Sequence, residues 1–394
     1  MRATQLQNRL GTYVSTSVAG ETVRAFLPPA LPPNPALDLS ELHPQLDRAN
    51  QGLGRLNGMT KLLPNVRFLL YLFVRKEALV SSQIEGTQSS LADLLLFESA
   101  ATPHVAVEDV EEVSNYVAAM QHGLRRLAKG FPLSLRLIRE IHAILLRGGR
   151  GAGKTPGEFR RTQNWIGGSR PGNAYFVPPP PERLMECLDS FERFLHDEKH
   201  KFPVLVEAAL VHVQFESIHP FLDGNGRLGR LLVTLLLCAK GALTEPLLYL
   251  SLYLKSHRSR YYDLLQRVRT EGAWEDWIAF FLEGVAISAE EAAVTAQRTL
   301  SLFAKDREKI KTLGRAAPSA LRVQEFMQKS PFTRIRTAAA ALKLTVPTVT
   351  GALNHLVRLG IVKEVSGKQR DRLFAYSRYL NMVSAGTEPL SIAR

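Results

Sequence analysis

Residues 219–230 read His-Pro-Phe-Leu-Asp-Gly-Asn-Gly-Arg-Leu-Gly-Arg, and an apolar run through Leu228, Leu231, Leu232 and Leu235 begins inside them. A glycine-rich loop that turns directly into an apolar helix is a strong constraint. Gly224, Asn225 and Gly226 leave backbone N–H groups free to converge on an anion, and the positive end of the new helix faces the same point. The flanking side chains suit phosphate chemistry. His219 accepts a proton near neutral pH, and Asp223 offers the hard oxygen that Mg²⁺ prefers beside nucleotide phosphates. Arg227 and Arg230 lie three apart on one side of the first turn, as two planar forks for phosphate oxygens.

The string resembles the signature of the Fic family (filamentation induced by cAMP), His-Pro-Phe-x-Asp/Glu-Gly-Asn-Gly-Arg-x-x-Arg, with every fixed position present. The resemblance implies a mainly α fold: a Fic helical bundle with a β-hairpin flap. It also implies transfer of AMP from ATP to a Ser, Thr or Tyr hydroxyl of a target protein or of the chain itself. In that reading His219 is the catalytic base, and Asp223 holds Mg²⁺. Gly224, Asn225, Gly226, Arg227, Leu228, Gly229 and Arg230 form the ATP cradle. Gly226 matters here, because a bulky basic residue after the Asn accompanies transfer of a terminal phosphate in related chains. Tyr262 stands where the family commonly has a Tyr-Tyr pair near the nucleotide base. Phe221 is expected to anchor the motif, and Trp277 and His212 to pack in the core.

Two further segments gain meaning beside that signature. Ser81 and Glu85 are four apart at the end of an expected helix and share one face. The run Ser81-Ser82-Gln83-Ile84-Glu85-Gly86 resembles the family's inhibitory motif, Ser/Thr-x-x-x-Glu-Gly/Asn. Glu85 then pairs with Arg230 where the ATP γ-phosphate belongs, from its own chain or a neighbour's. Gly157-Glu158-Phe159-Arg160 through Trp165-Ile166-Gly167-Gly168 resembles the flap, with Ile166 and Gly167 as target-binding positions. An exposed edge of this kind takes an extended peptide by main-chain hydrogen bonds, or merely covers the site. Removal of AMP as well as its transfer stays open.

Apolar positions stepping by threes and fours place helices through Leu69–Val80, Val110–Leu127, Ile138–Leu145, Met185–Leu195 and Leu205–Phe215. Others follow through Tyr261–Leu265 and Trp274–Leu282. A hairpin is expected with arms Asn164–Ile166 and Tyr175–Val177. Pro28, Pro29, Pro32, Pro33 and Pro35 mark an extended strap. The expected division is an N-terminal helical region with strap and inhibitory helix (1–100), a Fic core (101–300), and a linker with a small C-terminal module (301–394). Gly148 to Thr155 satisfies the P-loop expression, but a helical pattern precedes it and Pro156-Gly157 follow, which is the wrong context.

Cys187 and Cys238 make no disulfide framework, and the N-terminus reads as no signal segment, so a cytoplasmic, non-membrane protein is expected. Residues 305–394 hold 17 Lys plus Arg against 6 Asp plus Glu, so they carry +11 of the chain's +13. Within them Thr337–Leu342, a Thr345-capped helix ending at Gly360, and strands at Ile361–Val365 and Leu373–Tyr376 look like a winged helix-turn-helix. Thr348, Thr350, Asn354 and Arg358 would face DNA, and the basic wing its phosphates. The same module also suits docking of a protein or pairing into a homodimer. The alternative function is therefore a DNA-binding regulator whose Fic-like domain senses nucleotide.

Overall fold

A computed structural model describes residues 9–18, 20–62, 67–98, 105–148, 151–197 and 202–389. The described chain opens with an antiparallel hairpin of β1 (Thr12–Val18) and β2 (Glu21–Leu27), Thr12 opposite Leu27 and Val18 opposite Glu21. The helical N-terminal region expected up to residue 100 is corrected here. β1 is mostly exposed and its inward stripe, Val14, Thr16 and Val18, is only partly buried, packing with Val23 and Ala25 of β2 against Val177. The Phe26 amide donates to the Val177 carbonyl (2.9 Å), and the Phe26 ring meets Phe176 edge-on at 5.9 Å.

Helices then follow in order: α1 (His43–Leu62), α2 (Arg67–Ile84), α3 (Leu91–Glu98), α4 (Val107–Ala128), α5 (Leu135–Leu145), α6 (Pro181–His196), α7 (Val204–Ile218), α8 (Asn225–Ala239), α9 (Ser251–Ser256), α10 (Arg258–Glu271) and α11 (Trp274–Lys311). Ser134 caps α5 by accepting from the Leu137 amide, and Pro181 opens α6 at the one turn where a missing N–H costs nothing. In α7 every residue from Leu205 to Ile218 is buried. A helix apolar or satisfied on all sides belongs at the centre of a bundle, and α7 packs against α6, α8, α10 and α11. The next helix, α8, is also buried on all sides, at every position from Arg227 to Leu237. The signature is the loop between these two central helices, so the core itself fixes its position.

α11 is 38 residues long and runs without a break through residue 300. Beyond it come α12 (Ala317–Lys329), β3 (Phe332–Arg334), α13 (Ile335–Leu342), α14 (Val346–Arg358), β4 (Lys363–Glu364), β5 (Leu373–Ala375) and α15 (Ser377–Ser384). The three strands form one antiparallel sheet in the order β3-β5-β4. Thr345 caps α14 by accepting from the Thr348 amide. The expected strands are shorter than their apolar runs suggested: Ile361 and Val362 bury their side chains before pairing begins, and β3 adds an unforeseen third strand.

This module is packed on the bundle through α2 and α11. Its last described turn hangs on α2: the Ala385 carbonyl accepts from Lys76 Nζ (2.9 Å), and the Thr387 carbonyl from Gln83 Nε2 (2.9 Å). Lys255 of α9 completes the contact, donating to Gln83 Oε1 at 2.7 Å and to the Glu388 carbonyl. Among the described residues no helix is long and apolar enough to cross a membrane.

Candidate active site

His219 is the C-cap of α7, in the left-handed region at φ 48 and ψ 61, and its amide still donates to the Phe215 carbonyl (2.9 Å). That turn swings the chain from one central helix toward the start of the next. Gly224, at φ 76, is the N-cap of α8, a conformation an L side chain rarely adopts. Asn225 is fully committed to the loop between them: its Oδ1 accepts from the Phe221 amide (2.9 Å) and its Nδ2 donates to the Phe221 carbonyl (2.8 Å). Phe221 is buried as expected, stacked on His142 at 3.7 Å.

Arg230 points into the same space from one turn along α8, 3% exposed. It donates to Ser81 Oγ (2.9 Å), the Ser81 carbonyl (3.0 Å) and Glu85 Oε1 (2.6 Å). Glu85 follows the last residue of α2, and its carboxylate lies directly over Gly226: a β-carbon added there would meet Glu85 Oε1 at 2.3 Å. The carboxylate therefore sits at the open N-terminus of α8, where the dipole and free amides favour negative charge. Burial works to raise the Glu85 pKa, but Arg230, Arg227 and His219 outweigh it, and the net shift is downward. The carboxylate thus stays charged from neutral pH down through the ordinary glutamate range.

Arg227 is held by Glu112 of α4 (2.6 Å) and lies 3.5 Å from Asp223 Oδ1. Two positions assigned to the cradle are placed differently. The Leu228 side chain is in the core and its amide is spent on the Gly224 carbonyl (3.0 Å); Gly229 faces Glu216, whose Oε1 would be 2.5 Å from an added β-carbon. Free donors remain only at the first residues of the helix.

Several residues that build the site are invisible to motif reading. His142 of α5 is buried; its Nδ1 accepts from the Gly157 amide (2.8 Å), so Nε2 carries the proton and donates to the Asp223 carbonyl (3.0 Å). Burial lowers its pKa to about 4, which keeps that tautomer neutral. Its only sequence signal was a histidine on an otherwise apolar helix face. Glu112 and Arg269 gave none, because the site residues they hold, Arg227 and the Glu216–Ser217 end of α7, lie more than fifty residues away.

The segment 43–125 matches the Fic/DOC family N-terminal profile, and 132–237 matches the Fic/DOC family profile. The chain carries a Fic domain. It is 34% identical over 224 residues to a protein named protein adenylyltransferase Fic from Aedes aegypti, covering 56% of this chain and 40% of that one. The protein of the same name from Drosophila melanogaster is 31% identical over 204 residues, 51% of this chain and 38% of that one. The chain thus spans about two fifths of the curated relatives it matches. A crystal structure of a Fic family protein from Desulfovibrio desulfuricans superposes with a TM-score of 0.57 at 18% identity, covering 87% of this chain and 97% of that one.

In this Fic domain the flap is slighter than two paired arms. Among the described residues a single bridge joins Ile166 to Phe176, since Gly167 and Gly168 turn left-handed and Pro171 opens a short 3-10 turn. Ile166 spends both main-chain groups inward: its amide donates to Phe176, and its carbonyl accepts from Tyr175 and Phe176. Gly167, left-handed just past the bridge, is exposed. Tyr262 lies half-buried, its ring 5.0 Å from that of Tyr261 and 5.2 Å from the Arg258 guanidinium. Trp277 and His212 are core residues as expected: Trp277 donates to the Ala209 carbonyl (2.8 Å), and His212 Nε2 meets the Tyr261 hydroxyl at 2.8 Å. The P-loop look-alike follows a helix, and its described part, Gly148 and Gly151 to Thr155, forms turns; residues 149 and 150 lie outside the described set.

Proposed function

We propose that this chain is a protein adenylyltransferase, moving AMP from ATP to hydroxyls of a target protein or of itself, and that the conformation described is its restrained state. The observation that carries this reading is the Glu85 carboxylate on Arg230 at the mouth of α8. When Glu85 leaves, Arg230 is free for the γ-phosphate, and the first amides of α8 with Arg227 receive the inner phosphates. The hydroxyl oxygen attacks the α-phosphorus, His219 accepts its proton, and the bond to the β-phosphate oxygen breaks to release pyrophosphate. Gly226 leaves the cradle open for the α-phosphate to face the acceptor.

Asp223 suits a magnesium ion in this scheme. Its side chain is 41% exposed, one oxygen accepts from the Gly224 amide, and the other has no hydrogen bond among the described residues. The described residues hold no cluster of three metal-ligating side chains. A nucleotide-bound Mg²⁺ needs only one or two carboxylates, because phosphates and water complete its shell. The ion, when bound, neutralises charge on the phosphates.

The position of the label decides the reaction class. With ATP labelled on the α-phosphate, the protein or a lysate protein is expected to become labelled, most strongly in the Glu85→Gly variant. Label arriving only from the γ-phosphate would reassign the chain to phosphate transfer.

The C-terminal module is read as a winged helix that contacts duplex DNA. Thr348, Arg358, Lys368 and Arg370 are exposed on α14 and on the loop between β4 and β5, and Thr350 and Asn354 are partly exposed. Phosphate contacts from the three exposed cations give an expected slope of log affinity against log salt of about −2.7. A flat salt response in a filter-binding or anisotropy titration would point to protein docking or homodimer formation. Both readings place the chain in the cytoplasm.

A further inference from the structure

Two arginines beside the Fic site have no carboxylate within ion-pair distance among the described residues, yet both are buried. Arg160 is 3% exposed and Arg269 6%. A buried guanidinium without a counter-ion is costly unless its donors are filled, and here neutral oxygens, chiefly at the end of α7 and the turn after it, fill them. Arg160 Nε donates to the His219 carbonyl (2.9 Å), its Nη2 reaches the Ile218 carbonyl (3.5 Å), and its own amide donates to Pro220 (2.9 Å). Arg269, from α10, donates to the Glu216 carbonyl (3.2 Å) and to Ser217 Oγ (3.2 Å). Between them the two side chains hold the turn from residue 216 to residue 220.

Each also grips the second arm of the flap. Arg160 Nη2 donates to the Pro179 carbonyl, and the Arg269 guanidinium lies over the Phe176 ring at 3.8 Å. The left-handed His219 and the arm that positions the acceptor edge are therefore bolted to the same two cations. We propose that Arg160 and Arg269 are positioning residues that lock the His219 turn and the flap into one unit and hold the imidazole in its proton-accepting form. This deepens the adenylyltransferase reading, on which the role of His219 as base rests.

The charges around His219 support the second half of the proposal. Arg160 comes from the loop after α5, Arg269 from α10, and Glu85 from the end of α2; within its own helix the ring meets the Glu216 backbone. Burial is the main force against the imidazolium, both arginines add to it, and Glu85 opposes it, leaving the pKa well below its ordinary value. When ATP takes the place of Glu85, its phosphates take over the negative charge that opposes the two arginines.

The test compares wild type with Arg269→Gln and Arg269→Lys in the full chain. NMR titration of the His219 ring, and amide exchange across residues 164–177, require no catalysis. Arg269→Gln is expected to raise the His219 pKa by about half a unit or more and to speed flap exchange about threefold or more. Arg269→Lys keeps the charge but not the planar fork, so flap exchange rises while the titration stays near wild type. If Arg269→Gln does not fold, the lysine variant carries the comparison against wild type. Identical titration in all three chains, or unchanged flap exchange in both variants, overturns the proposal. Variants that move both readouts while the Glu85→Gly chain never takes label from ATP support the clamp and count against adenylyl transfer.

Discussion

Glu85→Gly is expected to raise self-labelling from α-labelled ATP by roughly ten- to a hundredfold. The estimate follows from the 2.6 Å Arg230–Glu85 contact: a hydrogen bond between charged groups is worth about 1.5–3 kcal/mol, and nucleotide must displace it to seat its γ-phosphate. Removing the carboxylate returns that energy to ATP binding. The glycine costs little locally, because Glu85 lies just past the end of α2 rather than within it. Ser81 keeps two of Arg230's three bonds, so the guanidinium stays aimed. Nucleotide affinity by calorimetry should rise with the labelling rate; a labelled variant whose affinity is unchanged would mean that Glu85 restrains something other than phosphate placement. Acid is not a substitute for the mutation. The downward-shifted Glu85 pKa preserves the pair as pH falls from 8 to 5, so restraint is lost only at pH values below the ordinary glutamate range.

His219→Ala in the Glu85→Gly background should lower the rate by about 10² to 10⁴ while leaving ATP affinity within about twofold. The separation arises because the phosphate donors lie on α8 and the base lies at the end of α7. Arg160 holds residue 219 by its carbonyl, so the alanine chain keeps the same turn. Rate and affinity falling together would show that the imidazole contacts nucleotide and not the acceptor hydroxyl. Across pH 5 to 8 the parent rate should show no histidine-like acid limb from His219, because its depressed pKa keeps it unprotonated over that range.

The signature was legible because its chemistry is local. The start of α8 behind the glycines and the shared face of Ser81 and Glu85 follow from short spacings, and both Ser81 and Glu85 meet Arg230. What escaped was everything supplied across the fold. His142 pins the Asp223 carbonyl from α5, Glu112 pairs with Arg227 from α4, and Arg269 reaches the end of α7 beside His219 from α10; none has a neighbour in sequence that predicts its partner. The N-terminal hairpin escaped for a related reason. β1 does alternate, with Val14, Thr16 and Val18 turned inward and Tyr13, Ser15 and Ser17 exposed, but in so short a Ser/Thr-rich run that stripe is a weak apolar signal; its pairing with β2 matters because Phe26 braces the flap at Phe176. The sequence also overstated the flap, since two β-like runs flanking a Gly/Pro/Ser/Asn turn formed only one bridge.

The bonds from Lys76, Gln83 and Lys255 to the carbonyls of Ala385, Thr387 and Glu388 give the protein a property that neither module has alone. Gln83 stands two residues before Glu85, so the last described turn and the Glu85 carboxylate share the end of one helix. A ligand that alters the tail's resting position alters the free energy of opening the nucleotide site, and nucleotide alters that ligand's affinity by the same factor. Under the proposed function the C-terminal module and the mouth of α8 are thus linked, so that a ligand at either would bias the other.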